Sequence, residues 1–306
     1  MRSFDPVRLS SIELFCKAAE LGSFTAAAES LGLTPASVSR SIKRLETRLG
    51  VRLFARNTRN VRLTNEGELY RQECQRALEQ IAEVERAITG HQKVPSGPLR
   101  ISIGTLYANH RVLPLLPRFT AAYPQIDLEL SLSNHVIDFV DDGFDLAIRL
   151  GTPPDSRLIA HWLEDAPVGI FATPDYLAKR GTPQSIEDLS AHDCIQFIVP
   201  STGRAMPWIF RNRHGEDIDF TFRSRFRVLD DVLGCISWAQ AGGGLFQIYH
   251  FIAEPMVARG ELVEVLQDFG GRSRQFSILY PHNRHLSARV RAFVEFLLAE
   301  LKAGSR

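Results

Sequence analysis

Thr34, Ser37, Ser39, Arg40, Lys43 and Arg44 crowd hydroxyls and cations into the short stretch LTPASVSRSIKRLETRLG, residues 33–50. No nucleophile, base and orienting group stand in register there or elsewhere in the chain, so the chemistry open to these residues is recognition. Hydroxyls and backbone N–H groups hold phosphate oxygens, and a guanidinium takes a guanine edge through two parallel hydrogen bonds. Pro35 and Ala36 are small and come first, which allows close approach of one end of the stretch to a groove. Arg52, Arg56 and Arg59 follow at spacings suited to neutralising phosphates. Residues 1–65 hold eleven Lys/Arg against five Asp/Glu, while the remainder holds 25 against 30. A basic head on an acidic body confines a nucleic-acid contact to the head.

The elements that must position these groups are legible. Ile12, Phe15, Cys16, Ala19 and Leu21 form the apolar face of a first helix that Gly22 ends. Ser23 caps a second, FTAAAESL, which Gly32 breaks. Thr34 caps a third, with Pro35 at its first position, where a missing N–H costs nothing. Two short helices joined by GLT read as helix-turn-helix. In the third helix Val38, Ile42, Leu45 and Leu49 form the buried stripe, leaving the hydroxyls and cations outward. Short apolar runs at Leu53–Phe54 and Val61–Leu63 flank the basic tip RNTRN and read as a β-hairpin wing able to enter a minor groove.

The whole run SFTAAAESLGLTPASVSRSIKRLETRLGVRLFARNTRNVRLTNEG resembles the N-terminal domain of LysR-type transcriptional regulators, with A-A-x-x-L, V-S-R-x-I-x-x-L-E, L-G-x-x-L-F-x-R and L-T-x-x-G at the family's spacing. Many members carry a base-reading Gln where this chain has Pro35. Direct readout therefore leans on Ala36, Ser39 and Arg40, with more left to DNA shape.

Thr64 caps a long helix to about Ile88. Leu63, Gly67, Tyr70, Cys74, Ala77, Ile81, Val84 and Ile88 recur at alternating intervals of four and three, a heptad seam. The expectation is a weak coiled coil pairing two heads, against the plainer reading of a helix lying on its own domain's core. The resemblance implies the former: a dimerising linker helix, and a tetramer of two dimers. TGHQKVPSGPLR then breaks structure as a hinge.

Beyond it, LRISIGTL, ANHRVLPLLPRFTAAYP and IDLELSLSN read as strand, helix and strand. VIDFVDDGFDLAIRLG reads as helix, glycine turn and strand. The pattern predicts α/β architecture with a mostly parallel sheet. A further strand–helix unit starts near Pro167, FRNRHGEDIDF reads as a hairpin, and a long amphipathic helix closes the chain. FDLAIRLG, YLAKRGTP and HLSARVRAFVEFL are similar to the family's two-subdomain effector domain, itself like periplasmic binding proteins. Carried over by position, the effector cleft includes Thr105, at a helix start suited to an anion, with Ser133, Asn134, Arg149, Pro200, Ser201 and Thr202.

The expected fold is thus α/β overall: a mostly α winged helix-turn-helix over 1–63, a linker helix over 64–90 and a hinge over 91–98. An effector domain follows over 99–306, with subdomain 1 at 99–165 plus 268–303 and subdomain 2 at 166–267. The expected function is a cytoplasmic regulator, not an enzyme, needing no cofactor and no metal. Its expected partners are double-stranded promoter DNA, a small and possibly anionic effector, copies of itself as homodimer and homotetramer, and RNA polymerase. No apolar run is long enough to span a membrane. Cys16, Cys74, Cys194 and Cys235 make neither a zinc spacing nor a disulfide framework. Gly242–Gly244 follows a helix, the wrong order for a phosphate loop, and reads as a helix stop. Two rival readings stay open: a thiol-redox switch at Cys235, near a helix start, and a constitutive architectural DNA protein.

Overall fold

Side-chain hydroxyls start the helices of the N-terminal unit. Ser23 accepts the Ala26 N–H, Thr34 that of Ser37 and Thr64 that of Gly67. The structure, a computed structural model, describes residues 6–55, 61–89, 94–137, 139, 142–151, 158–212, 214–282 and 287–304. At 6–9, 76, 79, 80, 83, 84, 86–89 and 304 it describes the backbone alone. The chain divides after Lys93 into two units.

In the first unit, α1 (Pro6–Leu21), α2 (Phe24–Ser30) and α3 (Pro35–Leu49) pack around Phe15, Ala18, Ala27, Ala28, Val38, Ile42 and Leu45, all buried. Leu21 and Leu49, expected on the apolar faces, are 40% and 38% exposed because each is the last residue of its helix and projects past the core. Gly50 ends α3 in a left-handed conformation (φ 73°) that favours glycine. Phe54 pairs antiparallel with Leu63, and the Ala55 N–H donates to the Arg62 carbonyl, so the base of the wing is present. Its tip lies outside the described residues.

The linker helix α4 (Asn65–Thr89) corrects the seam expectation. Cys74 is buried in the head's own core and Tyr70 packs against that core. A Cβ on Gly67 would lie 2.0 Å from the Leu53 carbonyl oxygen. The first half of the seam therefore seats α4 on its own domain, while Ala77 and Ile81 are exposed. The side chains of Val84 and Ile88 lie outside the described residues. A heptad stripe only requires an apolar partner surface, and here the head itself supplies it.

The second unit runs β1 (Gly97–Ile103), α5 (Thr105–Tyr107), α6 (Leu116–Ala122), β2 (Ile126–Leu132), β3 (Leu146–Leu150), β4 (Leu158–Ala172), α7 (Pro174–Arg180), β5 (Ile195–Val199) and β6 (Arg204–Ala205). It continues through β7 (Trp208–Arg211), β8 (Asp217–Phe220), β9 (Phe226–Leu229), α8 (Val232–Gln240), β10 (Phe246–Tyr249), α9 (His250–Ala258), β11 (Val263–Val265), β12 (Ser273–Pro281) and α10 (Ala288–Gly304). The main sheet has the order β10-β4-β12-β3-β1-β2, with β11 also on β4. Only β1, β2 and β3 are mutually parallel in it; β12, β10 and β11 pair antiparallel. The expected mostly parallel sheet is therefore a mixed one. β4 and β12 carry the chain out to the second half and back as adjacent antiparallel runs, and the expected subdomain border at 165/166 falls inside β4 without a break. The hinge is likewise shorter than expected, since β1 begins at Gly97.

Among the described residues of the stretch expected as a helix after Val136, Val136 and Ile137 are irregular and Phe139 lies in a turn; 138, 140 and 141 lie outside the described residues. The helix after Gly104 changes from α to π to 3-10 and back to α, around Pro114 and Pro117, which have no N–H to give. The core buries Leu99, Ile101 and Ile103 of β1 against Phe119 and against Phe293 and Leu297 of α10. A second cluster, with Tyr176, Leu189, Trp208, Phe210 and Leu245, fills the other half. The hairpin β7–β8 forms where FRNRHGEDIDF predicts it.

Candidate nucleic-acid interface and ligand cavity

The outer face of α3 follows from its period. With Val38, Ile42 and Leu45 buried, Ala36, Ser39, Arg40, Lys43, Arg44 and Arg48 are exposed and Ser37 half-buried. Thr34 and Ser37 cap one another: the Thr34 hydroxyl accepts the Ser37 N–H at 3.3 Å, and the Ser37 hydroxyl donates to the Thr34 carbonyl at 2.7 Å. Arg40 lies along the helix, its Nε donating to the Ala36 carbonyl at 3.2 Å. Arg40, Lys43, Arg44, Thr47 and Arg48 line a shallow groove.

Charge pairing separates this face from the rest of the head. Lys17 is paired with Glu20 and Arg71 with Glu68. Among the described residues, Arg40, Lys43, Arg44, Arg48, Arg52 and Arg62 have no carboxylate partner. A row of unpaired cations on a rigid helix is a polyanion-binding surface. Arg56 and Arg59 lie outside the described residues. Sequence reading missed Glu46: its carboxylate accepts the Leu53 N–H at 2.8 Å and the Phe54 N–H at 3.1 Å, fixing the wing to α3. As a half-buried acid in a basic helix it is the only outward signal of that role.

A cavity of about 640 Å³ lies in the second unit. Both halves line it, joined by the crossing strands. Of the expected cleft residues, Asn134, Arg149, Pro200 and Ser201 line it; Thr105, Ser133 and Thr202 do not. Local bonds account for this. The Thr105 N–H donates to the Asn134 Oδ1 at 3.1 Å, and Asn134 Nδ2 donates to the Thr105 hydroxyl at 2.5 Å. The anion position expected at that helix start is thus filled by an amide. Ser133 Oγ accepts the His135 N–H and Thr202 Oγ1 the Arg204 N–H. Asn134 Nδ2 also donates to the Asp230 carbonyl at 3.1 Å, tying the first half to the second.

The cavity's charge comes from two guanidiniums. Arg149, on β3, donates to the Ile148 carbonyl at 2.9 Å and the Ser102 hydroxyl at 2.6 Å. Burial lowers its pKa to about 10, so it stays cationic at neutral pH. Arg274, on β12, donates to the Pro207 carbonyl, and burial lowers its pKa too. Neither has a carboxylate partner among the described residues. Aromatic walls surround them: Tyr107 and Phe276 have ring centroids 4.3 Å apart, Tyr249 and Phe276 5.4 Å. Arg274, Tyr249, Phe276 and Trp208 come from distant strands, and no local pattern in the sequence singles them out. Cys235 is fully buried outside this lining, and desolvation pushes its thiol up to about 12, the opposite of what a redox-sensing thiolate needs.

Comparison with known proteins finds two matching domains. Residues 9–68 match the family described as bacterial regulatory helix-turn-helix protein, lysR family, and residues 92–302 match the LysR substrate binding domain. An HTH-type transcriptional repressor of Pseudomonas aeruginosa is 36% identical over 95% of this chain and 91% of that protein. The HTH-type transcriptional regulator CrgA of Neisseria meningitidis serogroup C is 33% identical over 95% and 96%. Among solved structures, CrgA from Neisseria meningitidis superposes with a TM-score of 0.60 at 32% identity, over 95% of this chain and 98% of that one. Full-length AphB, a virulence activator of Vibrio cholerae, gives 0.60 at 28%, over 95% and 99%. A helix of unpaired cations in the head, a cavity in the body and two family matches that together span nearly all of the sequence lead to one statement: this chain belongs to the LysR family of transcriptional regulators, with a DNA-binding head and an effector-binding domain.

Proposed function

We propose that this regulator reads promoter DNA through α3 and answers to a small organic anion with an apolar body, bound in the body's cavity. The observation that carries the effector reading is the pair of desolvated guanidiniums, Arg149 and Arg274, neither ion-paired to a carboxylate among the described residues, between aromatic walls. A buried cation without a counter-charge is costly, and a bound carboxylate supplies one. A volume of about 640 Å³ lies within the range of small-molecule sites. Asn134, Pro200 and Ser201 complete the polar rim. On the DNA side Ala36, Ser39 and Arg40 read base edges, while Lys43, Arg44, Arg52 and the wing's Arg56 and Arg59 hold phosphates. The chain acts in the cytoplasm as a dimer or a pair of dimers, and ligand binding alters how the paired heads are presented to the promoter and to RNA polymerase.

The test is a thermal-shift screen of aromatic and aliphatic carboxylates, each beside its uncharged amide. A binding acid stabilises the protein by about 2.7 kcal/mol at a hundredfold excess over its Kd. Arg274→Gln is expected to weaken that acid at least about tenfold, the loss of one charge-assisted bond, while leaving ligand-free DNA affinity intact. Amides that stabilise as well as acids, or an undiminished response in both Arg149→Gln and Arg274→Gln, overturn the anion assignment. No shift with any ligand, with DNA bound regardless of sequence, favours an architectural protein.

A further inference from the structure

We infer that the effector is a dianion: two carboxylates held apart by an apolar spacer, one at Arg149 and the other at Arg274. This rests on the anionic-effector reading above and adds a second charge and a length to that ligand. Two guanidiniums in one cavity can meet on a single carboxylate or take one each, and their anchoring decides between these.

The main sheet runs β10-β4-β12-β3-β1-β2. Arg149, on β3, donates from Nη2 to the Ser102 hydroxyl on β1, its neighbour on the side away from β12. Arg274, on β12, donates from Nη2 to the carbonyl of Pro207, which leads into β7. β7 in turn is tied to β10, at the opposite end of the sheet from β1 and β2: the Gln247 side chain accepts the Ile209 N–H and donates to the Ile209 carbonyl, both at 2.9 Å. The two arginines are thus drawn in opposite directions across the sheet. They are also offset along it. Ser277 is the residue opposite Arg149, and Arg274 stands three residues before Ser277. Three residues of strand and one strand spacing put the two α-carbons on the order of 10 Å apart. With both side chains anchored outward, a single carboxylate does not span that offset.

Each guanidinium keeps donors for a ligand. Of the five N–H groups of an arginine, Arg149 gives three, to the Ile148 carbonyl at 2.9 Å, the Ser102 hydroxyl at 2.6 Å and the His135 carbonyl at 3.4 Å, which leaves two. Arg274 gives one, which leaves four. Two N–H groups suit one planar carboxylate. No Asp or Glu is among the described residues that line the cavity, so neither charge is answered from within it. Apolar surface lies between the two cations. Phe276 stands between Arg274 and Ser277 in β12, and its ring packs 4.3 Å from that of Tyr107 and 5.4 Å from that of Tyr249, all three lining the cavity. A ligand with a carboxylate at each arginine lays its middle on these rings, and a cavity of about 640 Å³ has room for it. Because Arg149 is anchored in the first half and Arg274 on the second, such a ligand ties the halves together.

The test is isothermal titration calorimetry on the full-length protein near neutral pH, where both carboxyls of a diacid are ionised. The probes are the straight-chain diacids from succinic to sebacic acid and 1,4-phenylenediacetic acid, each beside its own monoamide and diamide. We expect the ratio of diacid to monoamide affinity to reach at least about tenfold at one intermediate length, the worth of one charge-assisted contact, and to fall on either side of it. Arg149→Gln and Arg274→Gln should each remove most of that ratio, because the second charge of the ligand has then lost its partner. Diacids no tighter than their monoamides, where the monoamides still bind better than the diamides, overturn the two-anion inference and leave the anion reading in place. No binding by any acid, or diamides that bind as well as diacids, overturns both. A ratio kept in both variants places the second charge elsewhere and overturns the assignment. The comparison between ligands on the wild-type protein needs no substitution, so it decides the matter even where a variant fails to fold.

Discussion

Among the described residues, Arg40, Lys43 and Arg44 of α3 have no carboxylate partner, while Lys17, Arg71 and Arg259 each hold one. That contrast, rather than the number of cations, marks a surface made for an external polyanion. Arg40→Ala is expected to weaken cognate DNA by about 1–3 kcal/mol with little change on random DNA, as loss of a bidentate base contact does. Equal losses on both, measured by fluorescence anisotropy, would assign Arg40 to phosphate instead. Lys43→Ala is expected to cost all sequences alike and to flatten the log K against log salt slope by up to about 0.9. Glu46 is the opposite kind of residue, an acid turned inward to two wing N–H groups. Glu46→Ala leaves those donors without their acceptor and should destabilise the head by about 1–3 kcal/mol in thermal melts. Glu46→Gln keeps an acceptor oxygen and should lose less.

At the scale of the element, α4 does two jobs along its length. Its first turns, with Gly67, Tyr70 and Cys74, belong to the head's core; Ala77 and Ile81 face outward. Two substitutions separate the jobs. Gly67→Ala puts a methyl into the Leu53 carbonyl and should lower the head's melting temperature without lowering the dimer's mass. Ile81→Asp should leave the head folded and shift the protein toward monomer, because a charge in an apolar contact costs several kcal/mol, roughly 2–7 for an uncompensated polar group. Light scattering and melting curves on both variants check the division. A dimer of normal mass for Ile81→Asp would place the pairing surface elsewhere.

At the scale of the whole molecule, the body is organised by two strands that cross between its halves and by the cavity they help enclose. Asn134 adds a smaller tie, from Thr105 in one half to the Asp230 carbonyl in the other. Asn134→Ala removes this bridge. It should lower the ligand-free melting temperature by a few degrees, the effect of about 1 kcal/mol in a domain of this size, and leave DNA binding by the head unchanged.

The head was legible because its information is local. Caps at Ser23, Thr34 and Thr64, a helical period from Val38 to Leu45 and a glycine at position 50 act within a few residues, and the family's spacing sits on the same positions. Several of the body's elements, β1, β2, β3, the β7–β8 hairpin and α10 among them, were legible for the same reason. What the sequence could not determine was which partner each stripe or group meets. A heptad from Leu63 to Ile88 specifies an apolar neighbour but not whether it is the same chain, and packing assigned its first half to the head. Thr105 has the residue type and the position for an anion site, yet Asn134, 29 residues away, takes its N–H. Arg274 looks like an ordinary strand residue until the fold brings it to one cavity with Arg149. Local propensity acts over a turn or a strand; a binding site is a meeting of distant segments, and only tertiary packing decides which of them meet.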